Sequence, residues 1–209
     1  MIAFARAVVT LGGDEAVAHT AAAELAARYA EPHRHYHNTT HVQAVIRDSA
    51  ILAEDLRLSE VERALLTLAA AAHDVIYDGQ PGDDERRSAA WARGWLARAG
   101  VDDTHGARVE SLVLATIAHS APPEDRVALA LLDADLAILG SDPATYDRYR
   151  TAVREEYAAL DEETWRAGRS AVLSTLVGRS PLYATGPAQA RWEAAAKANL
   201  TRELRTLTS

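Results

Sequence analysis

The sequence predicts an all-α protein, and three observations carry that expectation. Alanine, leucine, arginine and glutamate, all good helix formers, dominate nearly every segment. Capping and stop signals punctuate the chain: Ser59 with Glu62 three residues on, Asp142 followed by Pro143, and prolines at 32, 122 and 123. Strand signals shrink to Val75-Ile76-Tyr77, too short a β-branched and aromatic run to argue a sheet.

In chain order, residues 2–30 read as one long helix or two short ones, stopped by Pro32. Residues 31–40 (EPHRHYHNTT) read as a loop and the start of a helix. Asn38 or Thr39 caps that helix, which carries Val42, Val45, Ile46 and Leu52 on one face. The helix after Ser59 runs through LLTLAAAA to His73, and YDGQPGDD at 77–84 is turn chemistry. Further helices are expected at about 85–99, 105–119, 125–139, 143–159, 162–178 and 187–206. No repeat and no Pro/Gly/Ser linker marks a boundary. The expectation is one domain over 1–209, with a core at about 30–140 and C-terminal helices 143–206 packing on it.

A chain of 209 residues, 48% hydrophobic, can bury a core without staples. The formal charge is −8 and no Lys/Arg-rich run occurs, which argues against a general grip on nucleic-acid backbones. The absence of cysteine rules out disulfides and thiolate metal ligands. No signal peptide is read at the N-terminus, and no apolar run approaches about 18 residues. A cytoplasmic protein with no membrane partner is expected.

Chemistry concentrates in four places. His33, His35, His37 and His41 fall within nine residues, and a helical spacing of four would put His37 and His41 on one face. As a plain alternative, they are solvated or capping residues. His73-Asp74 ends an apolar, alanine-rich helix, where ionisable groups cost energy unless paired or metal-bound. The alternative is that His73 ends the helix and Asp74 caps the next turn. Asp133 and Asp135 interrupt the apolar LLDADLAILG, where buried helix-to-helix hydrogen bonds are the alternative. His119 closes LATIAHS, where the helix dipole alone could account for it. Together these residues make a nitrogen and oxygen donor set suited to Mn, Fe, Co, Ni or Zn, with Mg possible at an oxygen-rich second position. Arg34, Arg154 and Arg169 are candidates for a phosphate clamp, since a guanidinium fork matches phosphate. Ordinary surface ion pairs are the alternative for each.

The order H … HD … D on successive helices resembles the HD superfamily of metal-dependent phosphohydrolases. YHNTTH, AAHDVIYD and ADLAILG are also similar to segments of the cyclic-nucleotide phosphodiesterases. A bacterial group of small predicted HD phosphohydrolases shares more. The matching segments here are RHYHNTTH, HDVIY, DDERRSA, TIAH, DADLAILG and YRTAVREEY…AGRSAVL, spanning residue 34 to about 205. One departure is Asp84, where that group has asparagine.

The resemblance implies an HD-domain, phosphodiesterase-like helical bundle that binds one or two divalent metal ions. His41, His73, Asp74 and Asp135 would be the ligands, with Asp74 bridging if two ions bind. Glu85 and His119 would hold the second ion or its waters. His37 would protonate the leaving group, and Asn38 of the same motif would join the substrate contacts. The implied activity is hydrolysis of a phosphate ester or anhydride in a small phosphorylated metabolite or nucleotide. The same superfamily includes di-iron oxygenases, which use more histidines on the second iron than this chain offers. A non-catalytic, metal-stabilised binding module is the other alternative, and His37 beside the ligand set argues against it.

Overall fold

The computed structural model describes residues 1–208, of which none is in a strand. Helix makes up 73% of the chain, as the helix-forming composition predicts. The chain forms two compact units, Met1–Asp135 and Leu136 onward. The break falls inside the apolar run DADLAILG, where composition offers no Pro/Gly/Ser signal of a boundary.

Seven helices build the first unit: α1 (Ile2–Thr10), α2 (Glu15–Tyr29), α3 (Thr39–Asp55), α4 (Glu60–Ala72), α5 (Asp83–Arg98), α6 (Asp103–Ala115) and α7 (Arg126–Asp135). Helix α4 is the hub, packing against α1, α3, α5, α6 and α7. Its sequence explains the role. Leu68 and Ala69 to Ala72 are wholly buried, and methyl side chains let neighbouring backbones approach closely. The start of α4 is the expected capping box, with Ser59 Oγ accepting from Glu62 N and the Glu62 carboxylate accepting from Ser59 N at 2.8 Å. Asn38 caps α3 through Thr40 N at 2.8 Å. The 2–30 segment resolves into two helices, because Gly12 takes φ +83° in the turn between them.

The second unit holds a short 3-10 helix (Leu136–Gly140), then α8 (Pro143–Glu156), α9 (Glu162–Gly178) and α10 (Gly186–Thr208). Asp142 caps α8 ahead of Pro143, as the sequence predicts. Its core combines Tyr146, Leu173, Tyr183, Ala196 and Leu200. Two expected helices end early. The 105–119 helix stops at Ala115, and the 125–139 helix changes to 3-10 after Asp135. Both endings fall beside chemically interesting residues.

Candidate metal centre

Four helices of the first unit deliver side chains to one place, each from a helix end. His41 sits in the first turn of α3, where Asn38 fixes the start. His73 is the C-terminal cap of α4, and Asp74 follows it. Asp135 is the last residue of α7. His119 lies four residues past the end of α6 with φ +44°, a left-handed conformation uncommon for a residue with a β-carbon.

The donor atoms converge. His41 Nε2 and His73 Nε2 are 3.2 Å apart. Asp74 Oδ2 lies 3.0 Å from His73 Nε2 and 3.3 Å from His41 Nε2. Asp135 Oδ1 lies 3.3 Å and 3.5 Å from the same two nitrogens. With bonds of about 2.0–2.2 Å, neighbouring ligands around one ion stand roughly 3.0–3.5 Å apart. These separations match that spacing, and His41, His73 and Asp135 form a group of potential ligands whose atoms lie within 4.8 Å of one another, with Asp74 outside that group but in contact with both histidines. Asp135 Oδ2 meets His119 Nε2 at 2.9 Å, so its two oxygens serve opposite sides.

The orientation of His73 is set from behind. Its Nδ1 lies 2.9 Å from the Ala70 carbonyl, which can only accept. The proton therefore belongs on Nδ1, and Nε2 faces the cluster, the tautomer a ligating imidazole needs. Both histidines are buried.

Charge fits the donor chemistry. Burial alone would raise both carboxyls, but the His73 ring beside them, aided by hydrogen bonds from His41 to Asp74 and from His119 to Asp135, holds both below the usual carboxylate range. Burial pushes His41 down, toward the neutral form. Burial also opposes a charge on His73, yet Asp74 and Asp135 together hold its proton well above the usual histidine range. With both imidazoles neutral, two carboxylates leave a charge of minus two, which one divalent ion neutralises.

Among known proteins, no family model, no curated protein and no solved structure matches this chain. The site therefore rests on its own geometry.

The other candidate residues fall into two groups. His37 is close by, although not on α3 as a helical spacing of four assumes. It lies in the turn before the Asn38 cap, half-buried, with its ring 5.4 Å from that of His41 and stacked on Tyr77 at 4.2 Å. Asp133 is buried on α7 but outside the ligand group.

The remaining candidates make other contacts in this structure. Asn38 spends its amide on the α3 cap and on the His35 carbonyl, 2.8 Å away. The Glu85 carboxylate accepts from Gly82 N at 2.6 Å, supporting the start of α5. Arg154 donates to the Tyr157 carbonyl at 2.8 Å, closing its own helix. Arg169 is buried in a pair with Glu203 at 2.8 Å and also meets Tyr149 Oη. The Arg34 guanidinium is turned to main-chain carbonyls rather than left open for phosphate.

Sequence reasoning missed Tyr29. Its hydroxyl accepts from the Asp74 amide at 3.2 Å, and its ring is fully buried at the end of α2. Burial and the neighbouring Asp74 charge keep this phenol protonated far above its usual range. Nothing local in the sequence marks it, since a tyrosine ending an amphipathic helix reads as packing.

Proposed function

We propose that this protein is a divalent-metal-dependent phosphohydrolase of the HD type, acting on a phosphate ester or anhydride of a small phosphorylated metabolite or nucleotide. The observation that carries the reading is the meeting of His41 Nε2 and His73 Nε2 with each other and with Asp74 Oδ2 and Asp135 Oδ1, each of these contacts being 3.0–3.5 Å, in the H … HD … D order of the sequence.

These four residues would hold one ion. Asp74, Asp135 and His119 would contribute to a second if one binds. When bound, such an ion supplies positive charge for phosphoryl oxygens and makes water more acidic, toward a pKa of about 7. The chain's own residues do the rest. The Ala70 carbonyl holds the His73 ring in one tautomer, and His119 holds the far oxygen of Asp135. Tyr77 stacks against His37 and sets its ring beside His41. An imidazolium at that position can give its proton to a departing oxygen, a role typically worth about 10²–10⁴ in rate. Partly exposed carboxylates and a half-buried histidine around one small centre suit a small-molecule substrate. The acidic, cysteine-free composition suits work in the cytoplasm without nucleic acid.

A metal-by-substrate screen tests this. Chelator-stripped protein would be reloaded with Mn, Co, Ni, Zn, Mg or Fe and assayed against mono- and diphosphates with and without oxygen. Phosphate release that persists anaerobically and with redox-inert Zn or Mg is the expected result. Product formation that consumes dioxygen stoichiometrically and requires iron would overturn it.

A further inference from the structure

We infer that Arg34 is a positioning residue that locks the main chain of His37 to the main chain of Asp74, and so holds the acid-bearing turn and the ligand-bearing turn in register. Its role rests on the proposed metal site but is read from a separate set of contacts. The Arg34 side chain has no solvent exposure. Its Nη1 donates to the His37 carbonyl at 3.2 Å and to the Asp74 carbonyl at 2.6 Å. Its Nη2 donates to the Val75 carbonyl at 2.9 Å. Its Nε donates to Glu31 Oε2 at 3.1 Å. The guanidinium lies over two rings, 5.1 Å from the centroid of Tyr29 and 5.7 Å from that of Tyr77.

Each contact points to the site. Tyr29 presents its hydroxyl to the Asp74 amide, and Tyr77 stacks on the His37 ring. The guanidinium thus touches both turns directly and touches again the two rings that support them. Residues 34 and 37 are near in sequence, but residues 74 and 75 arrive from the end of α4, some forty positions on. No backbone hydrogen bond outside the helices joins residues 33–38 to residues 73–77 among the described residues. At the exposed edge, His33 Nε2 also meets the Tyr77 carbonyl at 2.8 Å.

Arginine is the side chain this task needs. A planar fork with donors on three nitrogens can bridge carbonyls on two strands of chain and a carboxylate at once. An ammonium is a point charge on a flexible stem and cannot span them. A buried guanidinium also demands that its donors be satisfied, which makes the arrangement unforgiving.

The test compares wild-type protein with Arg34→Lys by amide hydrogen exchange and by Mn²⁺ titration. Arg34→Lys is expected to lose protection in residues 35–38 and 74–76 together, while α1 keeps its protection. Mn²⁺ affinity is expected to fall by about 10–100-fold, the usual effect of removing support behind a ligand. Glu31→Gln provides a second variant should Arg34→Lys not fold. It leaves the guanidinium in place, removes its carboxylate, and is expected to loosen the same two segments together. Loosening of one segment alone, of neither, or of both with unchanged Mn²⁺ affinity would overturn the inference. If the wild type itself binds no Mn²⁺, the phosphohydrolase reading fails. The brace is then judged on the paired exchange alone, and unpaired loosening rejects it.

Discussion

On the proposed reading, a metal ion would compete with the His73 proton, so pH should govern metal affinity in a defined direction. Asp74 and Asp135 hold the His73 imidazolium well above the usual histidine pKa despite its burial. His41 is pushed by burial toward the neutral form. Ligation requires both Nε2 atoms as lone-pair donors, so one ion should displace about one proton. Below the raised His73 pKa, each pH unit then changes the affinity about tenfold, or about 1.4 kcal/mol. Titrating chelator-stripped protein with Mn²⁺ by calorimetry, in two buffers of different ionisation enthalpy, reads both affinity and proton release. Affinity should rise about tenfold from pH 6 to 7 and level off once His73 is neutral. Affinity that is flat or falling over that interval, or no released proton, would refute the reasoning. The stability of the metal-free protein should run the other way. The raised His73 contributes stability that is complete below its unfolded value of about 6.5 and lost as pH climbs through the folded one. The depressed Asp74 and Asp135 contribute stability that is present above about 3.9 and lost in acid.

Three further outcomes are expected. His73→Ala or Asp74→Ala should abolish bound metal and hydrolysis together, and elemental analysis showing wild-type metal content would contradict the ligand assignment. His37→Ala should keep metal and helix content while slowing poor leaving groups by about 10²–10⁴, with p-nitrophenyl phosphate much less affected; equal losses for both substrates would remove His37 from proton transfer. Gly140→Ala should destabilise the second unit by about 1–3 kcal/mol in urea unfolding, because an added Cβ would lie 2.4 Å from Trp192 Cβ and 2.8 Å from Trp192 Cα, where backbone cannot yield.

Much of the fold was legible because its signals are local. Composition gave the helical class, and Ser59 with Glu62, Asn38, and Asp142 with Pro143 gave helix starts that the structure keeps. The boundary after Asp135 was not legible. A change from α to 3-10 helix inside an apolar run carries no residue signature. In the site, His73, Asp74 and Asp135 could be picked out because ionisable groups stood against apolar neighbours, while His41 and His119 entered through the resemblance, and the structure brings the five together. The arginines could not be assigned, since a guanidinium reads alike whether it grips phosphate or carbonyl. Only folding shows that Arg169 meets Glu203 and that Arg34 meets the His37 and Asp74 main chain.

The donors are placed at helix ends. Helix ends that meet at one place let side chains from several helices reach a common point. Helix α4 makes this possible. Its alanines bring α3, α6 and α7 close around one buried axis, and its own end supplies His73. Terminal residues are also less constrained, so something must fix them. Asn38 fixes the α3 start, the Ala70 carbonyl fixes the His73 ring, and Asp135 holds His119 in its left-handed turn. Arg34 completes the set by tying the two turns that no helix connects. On the proposed reading, the centre would depend on these supporting contacts as well as on its donors, and a variant such as Arg34→Lys, which leaves every donor in place, should still disorder it.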